Sequence, residues 1–67
     1  MSRRVVEFPD VVALDRSPKA LLVMFDQEDV EWVPISQVHE DSEVMEKGDV
    51  GVLITTAWWA QKAGRKP

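Results

Sequence analysis

Most of the apolar residues in this chain fall in short runs broken by turn-forming residues, a pattern of strands rather than long helices. The run KALLVMF, residues 19–25, is continuously apolar after its lysine and predicts a strand buried on both faces. The run VEWVPI, residues 30–35, alternates, with Val30 and Trp32 on one face and Glu31 and Val33 on the other. That period of two marks a half-buried strand. Between the two runs lies DQED, so residues 19–34 predict a hairpin with a four-residue loop. Pro34 has no N–H for a ladder, which places it at a strand end or a sheet edge. VVALD, residues 11–15, and VGVLITT, residues 50–56, predict two further strands. RRVVEF at the start reads as another short strand or an ordered tail, interrupted by Pro9-Asp10.

The connections carry their own signals. In DRSP, residues 15–18, Asp and Ser oxygens compete for local backbone N–H groups and Pro18 fixes φ, so the chain turns. ISQV after Pro34 predicts one tight turn, capped by Ser36, with Val38 tucked under the sheet. HEDSEVMEKGD, residues 39–49, reads as a solvated loop. TAWWAQKAG predicts a short C-terminal helix near residues 56–63, with Thr55 or Thr56 as N-cap, Lys62 in the last turn and Gly64 as the left-handed stop. At 100° per residue Trp59, Ala60 and Ala63 share one face and Trp58 points away from it. The expected fold class is therefore mainly β: a small SH3-like or OB-like barrel of four to five short strands with one short C-terminal helix. Its expected core is Leu22, Met24, Val30, Trp32, Val38, Leu53 and Ile54.

With 67 residues the chain makes a single small domain, with residues 1–4 and 65–67 expected to be mobile tails. It has no cysteine, which removes disulfides and thiolate metal sites, so the aliphatics and five aromatic residues must supply the core. No run approaches the roughly 18 apolar residues of a membrane span, and the start lacks a signal-peptide core. A soluble, cytoplasmic protein is expected, in the host cytoplasm if phage-encoded. Net charge is −4, unevenly spread: residues 26–49 hold nine acids and one lysine, whereas Arg3, Arg4, Lys62, Arg65 and Lys66 sit at the ends. An acidic middle repels phosphate backbones at long range, which disfavours nucleic-acid binding.

Candidate chemistry is sparse. His39, Glu40 and Asp41 are adjacent, without the i, i+4 spacing of helical metal ligands or the alternation of a calcium loop. Ser36 has no oriented base and no strand–turn–helix setting for a nucleophile. The isolated glycines 48, 51 and 64 make no phosphate-cradling loop. No catalytic residue, metal site or cofactor is expected, and the chain is not read as an enzyme.

Taken in order, Lys19-Ala20 with its aliphatic strand, EWVPISQV, DSEV, a β run and WWAQKAG resemble a set of small uncharacterised phage, prophage and bacterial β-barrel proteins. Their pattern is a Lys-Ala strand, Trp-Ile/Val-Pro-x-Ser-Gln-Ile/Val, another strand and a Trp-containing C-terminal helix. The likeness spans roughly residues 11–64 and is most specific at Trp32, Pro34, Ser36, Gln37 and Val38. Two features depart from it: the hairpin turn lacks glycine, and Ile35 stands where a polar residue is expected. The resemblance implies a barrel and a phage-type origin, carries no catalytic residues, and implies that Trp58 packs at the barrel rim, against the helical wheel that exposes it. Together these readings describe a non-catalytic accessory protein that binds another, basic protein through an acidic surface. A sharper form is inhibition of a host nucleic-acid enzyme, carboxylates standing in for phosphates. The expected contact residues are Ile35, Glu40, Asp41, Glu43, Glu46, Trp58 and Trp59. The alternative is a small nucleic-acid-binding barrel that stacks bases on exposed aromatics and uses the basic ends for the backbone.

Overall fold

The computed structural model describes residues 4–65. Its strands are β1 (Val5–Arg16), β2 (Ala20–Asp26), β3 (Asp29–Pro34) and β4 (Val50–Thr56), followed by one helix, α1 (Ala57–Lys62). They form one antiparallel sheet in the order β3-β2-β1-β4. The fold is thus mainly β, an open four-stranded sheet with a short C-terminal helix.

Within the described residues, VVEF at 5–8 and VVALD are one long strand, not two. Pro9-Asp10 does not break it: Phe8 pairs with Leu53 and Val11 with Gly51, so two residues of β1 face the single Val52 of β4. This bulge absorbs the proline, whose missing N–H costs nothing there. Asp10 takes φ 56°, a left-handed conformation that a short polar side chain tolerates. The β2–β3 hairpin is tighter than expected. Asp26 pairs with Asp29, leaving Gln27-Glu28 as a two-residue loop. Neither loop residue has positive φ, so the turn is not of the primed kind that suits such loops. The register shifts between Met24 and Asp26, and the extra residue, Phe25, accommodates the mismatch.

The buried core is Phe8, Val11, Ala13, Leu21, Val23, Val33, Val44, Leu53, Trp59 and Ala60. This corrects the expected core in the hairpin by one residue of phase. Leu21 and Val23, not Leu22 and Met24, point inward; Val33, not Trp32, does so from β3. Val30 and Trp32 lie exposed on the opposite face, Trp32 at 48%. Leu22, Met24 and Ile54 are only partly buried, and of the seven expected residues Leu53 alone is fully enclosed. The outer face carries an apolar rung through all four strands, Val30–Met24–Val12–Val50, with Trp32 opposite Leu22 beside it. A run that is apolar at both parities fits either face, and a slip of one residue inverts it.

Ile35–Gln37 forms a single 3₁₀ turn, as the tight-turn reading anticipated, but Ser36 does not cap it: Pro34 precedes the turn and no side chain bonds its end. Val38 does tuck in, against the core and bridged to Thr55. The following segment is more than a solvated loop. It runs along the outer edge of β4 and satisfies that edge. The His39 N–H donates to the Ile54 carbonyl and the Glu43 N–H to the Val52 carbonyl. The Ser42 hydroxyl accepts from the Ile54 N–H at 2.7 Å and donates to the Ile54 carbonyl at 2.9 Å. Ser42 and Val44 are buried as a result. An edge that would otherwise be open to strand addition is closed by side chains and irregular backbone.

Candidate protein-binding surface

The C-terminus of α1 organises the most elaborate polar contact in the protein. Thr56 caps its start, its hydroxyl accepting from the Trp59 N–H at 3.2 Å. Gly64, at φ 72°, turns the chain left-handed. The Arg65 N–H then donates to the Ala60 carbonyl and the Gly64 N–H to the Gln61 carbonyl, the paired bonds of a Schellman stop. That turn delivers Arg65 onto the hairpin, so this expected tail residue is tied down. Its guanidinium donates to both oxygens of Asp29 at 2.6 and 2.7 Å and to Glu31 at 2.8 Å. It also lies 3.9 Å from the centre of the Phe25 ring. Hydrogen bonding to Arg65 holds the Asp29 carboxyl below its ordinary value, and the same bond raises the Arg65 pKa. At the other end the Arg4 carbonyl accepts from the Ala57 N–H. The other expected tail residues, 1–3 and 66–67, lie outside the described residues.

Arg65 accounts for the phase of β3. Glu31 lies on the Val33 side of the strand at the rim of the core, its side chain 36% exposed, and Arg65, thirty-four residues on, pairs with it. With Glu31 neutralised, Val30 and Trp32 face solvent. Beneath Arg65, Phe8, Phe25 and Trp59 pack together, Phe25 stacked on Trp59 and Phe8 edge-on to both.

The two tryptophans of α1 take opposite roles. Trp59 is 6% exposed and belongs to the core, reaching the surface only as part of the groove wall. Trp58 is 58% exposed with the Lys62 ammonium 4.9 Å from its ring centre, as the helical wheel requires and contrary to the rim packing that the resemblance implied. Between α1 and the outer edge of β3 runs a groove lined by Glu31, Pro34, Trp58, Trp59, Lys62 and Ala63.

The remaining expected contact residues do not converge on one patch. Ile35 is half-buried and packs against the core, not exposed as an anchor. Glu40 and Asp41 are exposed; the Asp41 N–H donates to His39 Nδ1 at 3.0 Å. Glu43 and Glu46 serve the fold as well as the surface. The Glu43 carboxylate accepts from the Val52 N–H at 2.9 Å, and Glu46 pairs with Arg16, which also donates to the Met45 carbonyl. Asp49 accepts from the N–H groups of Met45 and Glu46, which lowers its pKa, the Met45 bond contributing most. Among the described residues no three His, Asp or Glu side chains group closely enough to hold a metal ion. No helix is long and apolar enough to cross a membrane among them.

Sequence reasoning missed the free edge of β3. The Ile35 N–H donates to the Lys19 carbonyl, which sets residues 35, 33 and 31 in the bonded rungs with β2. The backbone groups of Val30 and Trp32 therefore point away from the sheet, as does the carbonyl of Pro34. The signal was present in Pro34, which tolerates only such a position. No family model, curated protein or solved structure matches the chain.

Proposed function

We propose that the protein is a non-catalytic accessory protein of phage or prophage type that binds a partner protein through its acidic surface. The observation that carries this reading is the concentration of nine acids against one lysine in residues 26–49. Four of them, Asp26, Glu28, Glu40 and Glu43, are exposed and have no ion-pair partner among the described residues. Trp58 is the apolar anchor, since Trp in a contact surface contributes a large area at low entropic cost. The open sheet, packed with Trp59 in its core and bordered by the segment after the 3₁₀ turn, is read as a small SH3-like or OB-like barrel. The partner presents a basic surface, and a nucleic-acid enzyme of the host, with carboxylates occupying its phosphate groove, is the sharpest form of this reading.

The exposure of both Trp32 and Trp58 favours one alternative, base stacking on a nucleic-acid strand. Its weakness is the cations: Arg65 is committed to Asp29 and Glu31, and Lys62 lies over Trp58. Anisotropy of labelled single- and double-stranded oligonucleotides at about 150 mM salt separates the two. The protein-binding reading expects no oligonucleotide binding, together with a captured basic partner that is lost when Asp26, Glu28 and Glu40 are changed to Lys. Submicromolar oligonucleotide binding that falls steeply with salt overturns it.

A further inference from the structure

Resting on the protein-binding reading, we infer that the groove between α1 and β3 takes an extended, cationic peptide segment of the partner, which adds to the sheet as a strand beside β3. Three observations meet there. The first is the backbone: Val30 and Trp32 each direct an N–H and a carbonyl outward along an edge that no other element among the described residues covers. An incoming strand satisfies these groups in register, the usual source of affinity in strand addition. The second is the cavity. A pocket of about 310 Å³ lies against that edge, with Pro34 and Glu31 on one wall and Trp58, Trp59, Lys62 and Ala63 on the other, Lys62 being held over the Trp58 ring. Side chains of an added strand alternate, so one set enters this pocket while the other lies over Val30 and Trp32. Both sets meet largely apolar surface, with Glu31 and Lys62 at the pocket. The third is charge: Asp26 and Glu28, at the hairpin turn that ends the groove, are exposed and without ion-pair partners among the described residues. A segment with a small apolar residue for the pocket and Lys or Arg flanking it fits all three.

A second copy of this chain fits poorly. Antiparallel pairing of β3 with its copy through the outward groups of Val30 and Trp32 sets Glu31 directly opposite Glu31 of the other copy. In a non-bonded rung those residues are close, and like charges there are destabilising. Each chain also carries a net charge of −4.

The test uses ¹⁵N-labelled full chain and a capped seven-residue peptide of alternating Lys and Val. Shifts and slowed amide exchange at Val30 and Trp32, with a shift of the Trp58 indole, are expected. Val30→Pro removes an outward donor without touching the β2 ladder and should weaken binding about tenfold, one backbone hydrogen bond's worth. Should that variant fail to fold, the peptide N-methylated at alternate residues delivers the same loss with the wild-type protein. Shifts confined to residues 39–46 overturn the edge site while leaving the acidic-surface reading in place. Equal binding of a Glu/Val peptide, absence of peptide binding, or a dimer in sedimentation that accounts for the Val30 and Trp32 protection also overturns it.

Discussion

The three tryptophans offer a direct test of which face of the sheet is the core. Trp59 is 6% exposed and stacked among Phe8 and Phe25, whereas Trp32 and Trp58 are 48% and 58% exposed. Truncating an enclosed Trp to Ala costs about 3–5 kcal/mol, the transfer energy of the lost side chain plus the cavity it leaves. A domain of 67 residues, at about 0.05–0.15 kcal/mol per residue, has roughly 3–10 kcal/mol in hand. Trp59→Ala should therefore remove much of the stability and can unfold the protein outright. Trp32→Ala gives up only the buried half of its surface and opens no closed cavity, so about 1–2 kcal/mol is expected. Trp58→Ala should cost about 1 kcal/mol or less, since most of the ring is already in water. At 4–8 °C per kcal/mol for a domain of this size, the roughly 1–4 kcal/mol between the Trp32 and Trp59 variants should make the Trp59 variant melt about 4–30 °C below the Trp32 variant. Far-UV circular dichroism melts with urea titrations at one temperature give the order. A Trp32→Ala variant as damaged as Trp59→Ala refutes the assignment of faces and means that the outer face is covered in solution.

Arg65→Ala should lower the melting temperature by roughly 5 °C, discounted for the partial exposure of its acidic partners, while Lys62→Ala leaves it unchanged; equal melts would show that the clamp contributes nothing. Gly51→Ala should destabilise by about 1–3 kcal/mol, because at φ 156° a Cβ would lie 2.6 Å from Glu43 Oε1, and a double cycle with Glu43→Ala should recover part of the loss. Acid should weaken the fold. Asp29 and Asp49 have folded pKa values below the ordinary aspartate value of 3.8, so the unfolded chain binds more protons as pH falls past 3.8, and stability fully present above that pH is lost as pH falls through the lowered folded values. Urea midpoints from pH 6 to 2.5 check this, and Asp29→Asn with Asp49→Asn should flatten the curve; an unchanged slope would assign acid sensitivity to other carboxylates.

How much of this was legible can be followed residue by residue. The strands at β2, β3 and β4 and the helix bounded by Thr56 and Gly64 follow from local chemistry: strand-length apolar runs, a hydroxyl that caps, a glycine that stops. The contrast between Trp58 and Trp59 follows from the helical period. The join of residues 5–16 into one strand was not legible, because Pro9-Asp10 reads locally as a break and becomes a bulge only against Val52 on β4. Nor was the role of Ser42 and Glu43, which read as loop polarity until β4 presents an edge that needs bonding partners.

Alternation in β3 established that two faces exist and that one is more polar, and the sequence by itself carries that much. It could not say which face turns inward. Val30 and Trp32 make the more apolar face, and local hydrophobicity would bury it. The tertiary structure decides otherwise, because Arg65 arrives over Phe25 and neutralises Glu31 and Asp29 on the inner side, while Leu21, Val23 and Val33 fill the space beneath. Hydrophobic burial is non-directional, so a strand apolar on both faces has two nearly equivalent placements. The choice between them falls to a charge pair that depends on a contact between residues far apart in the chain, and no window along the sequence contains both partners.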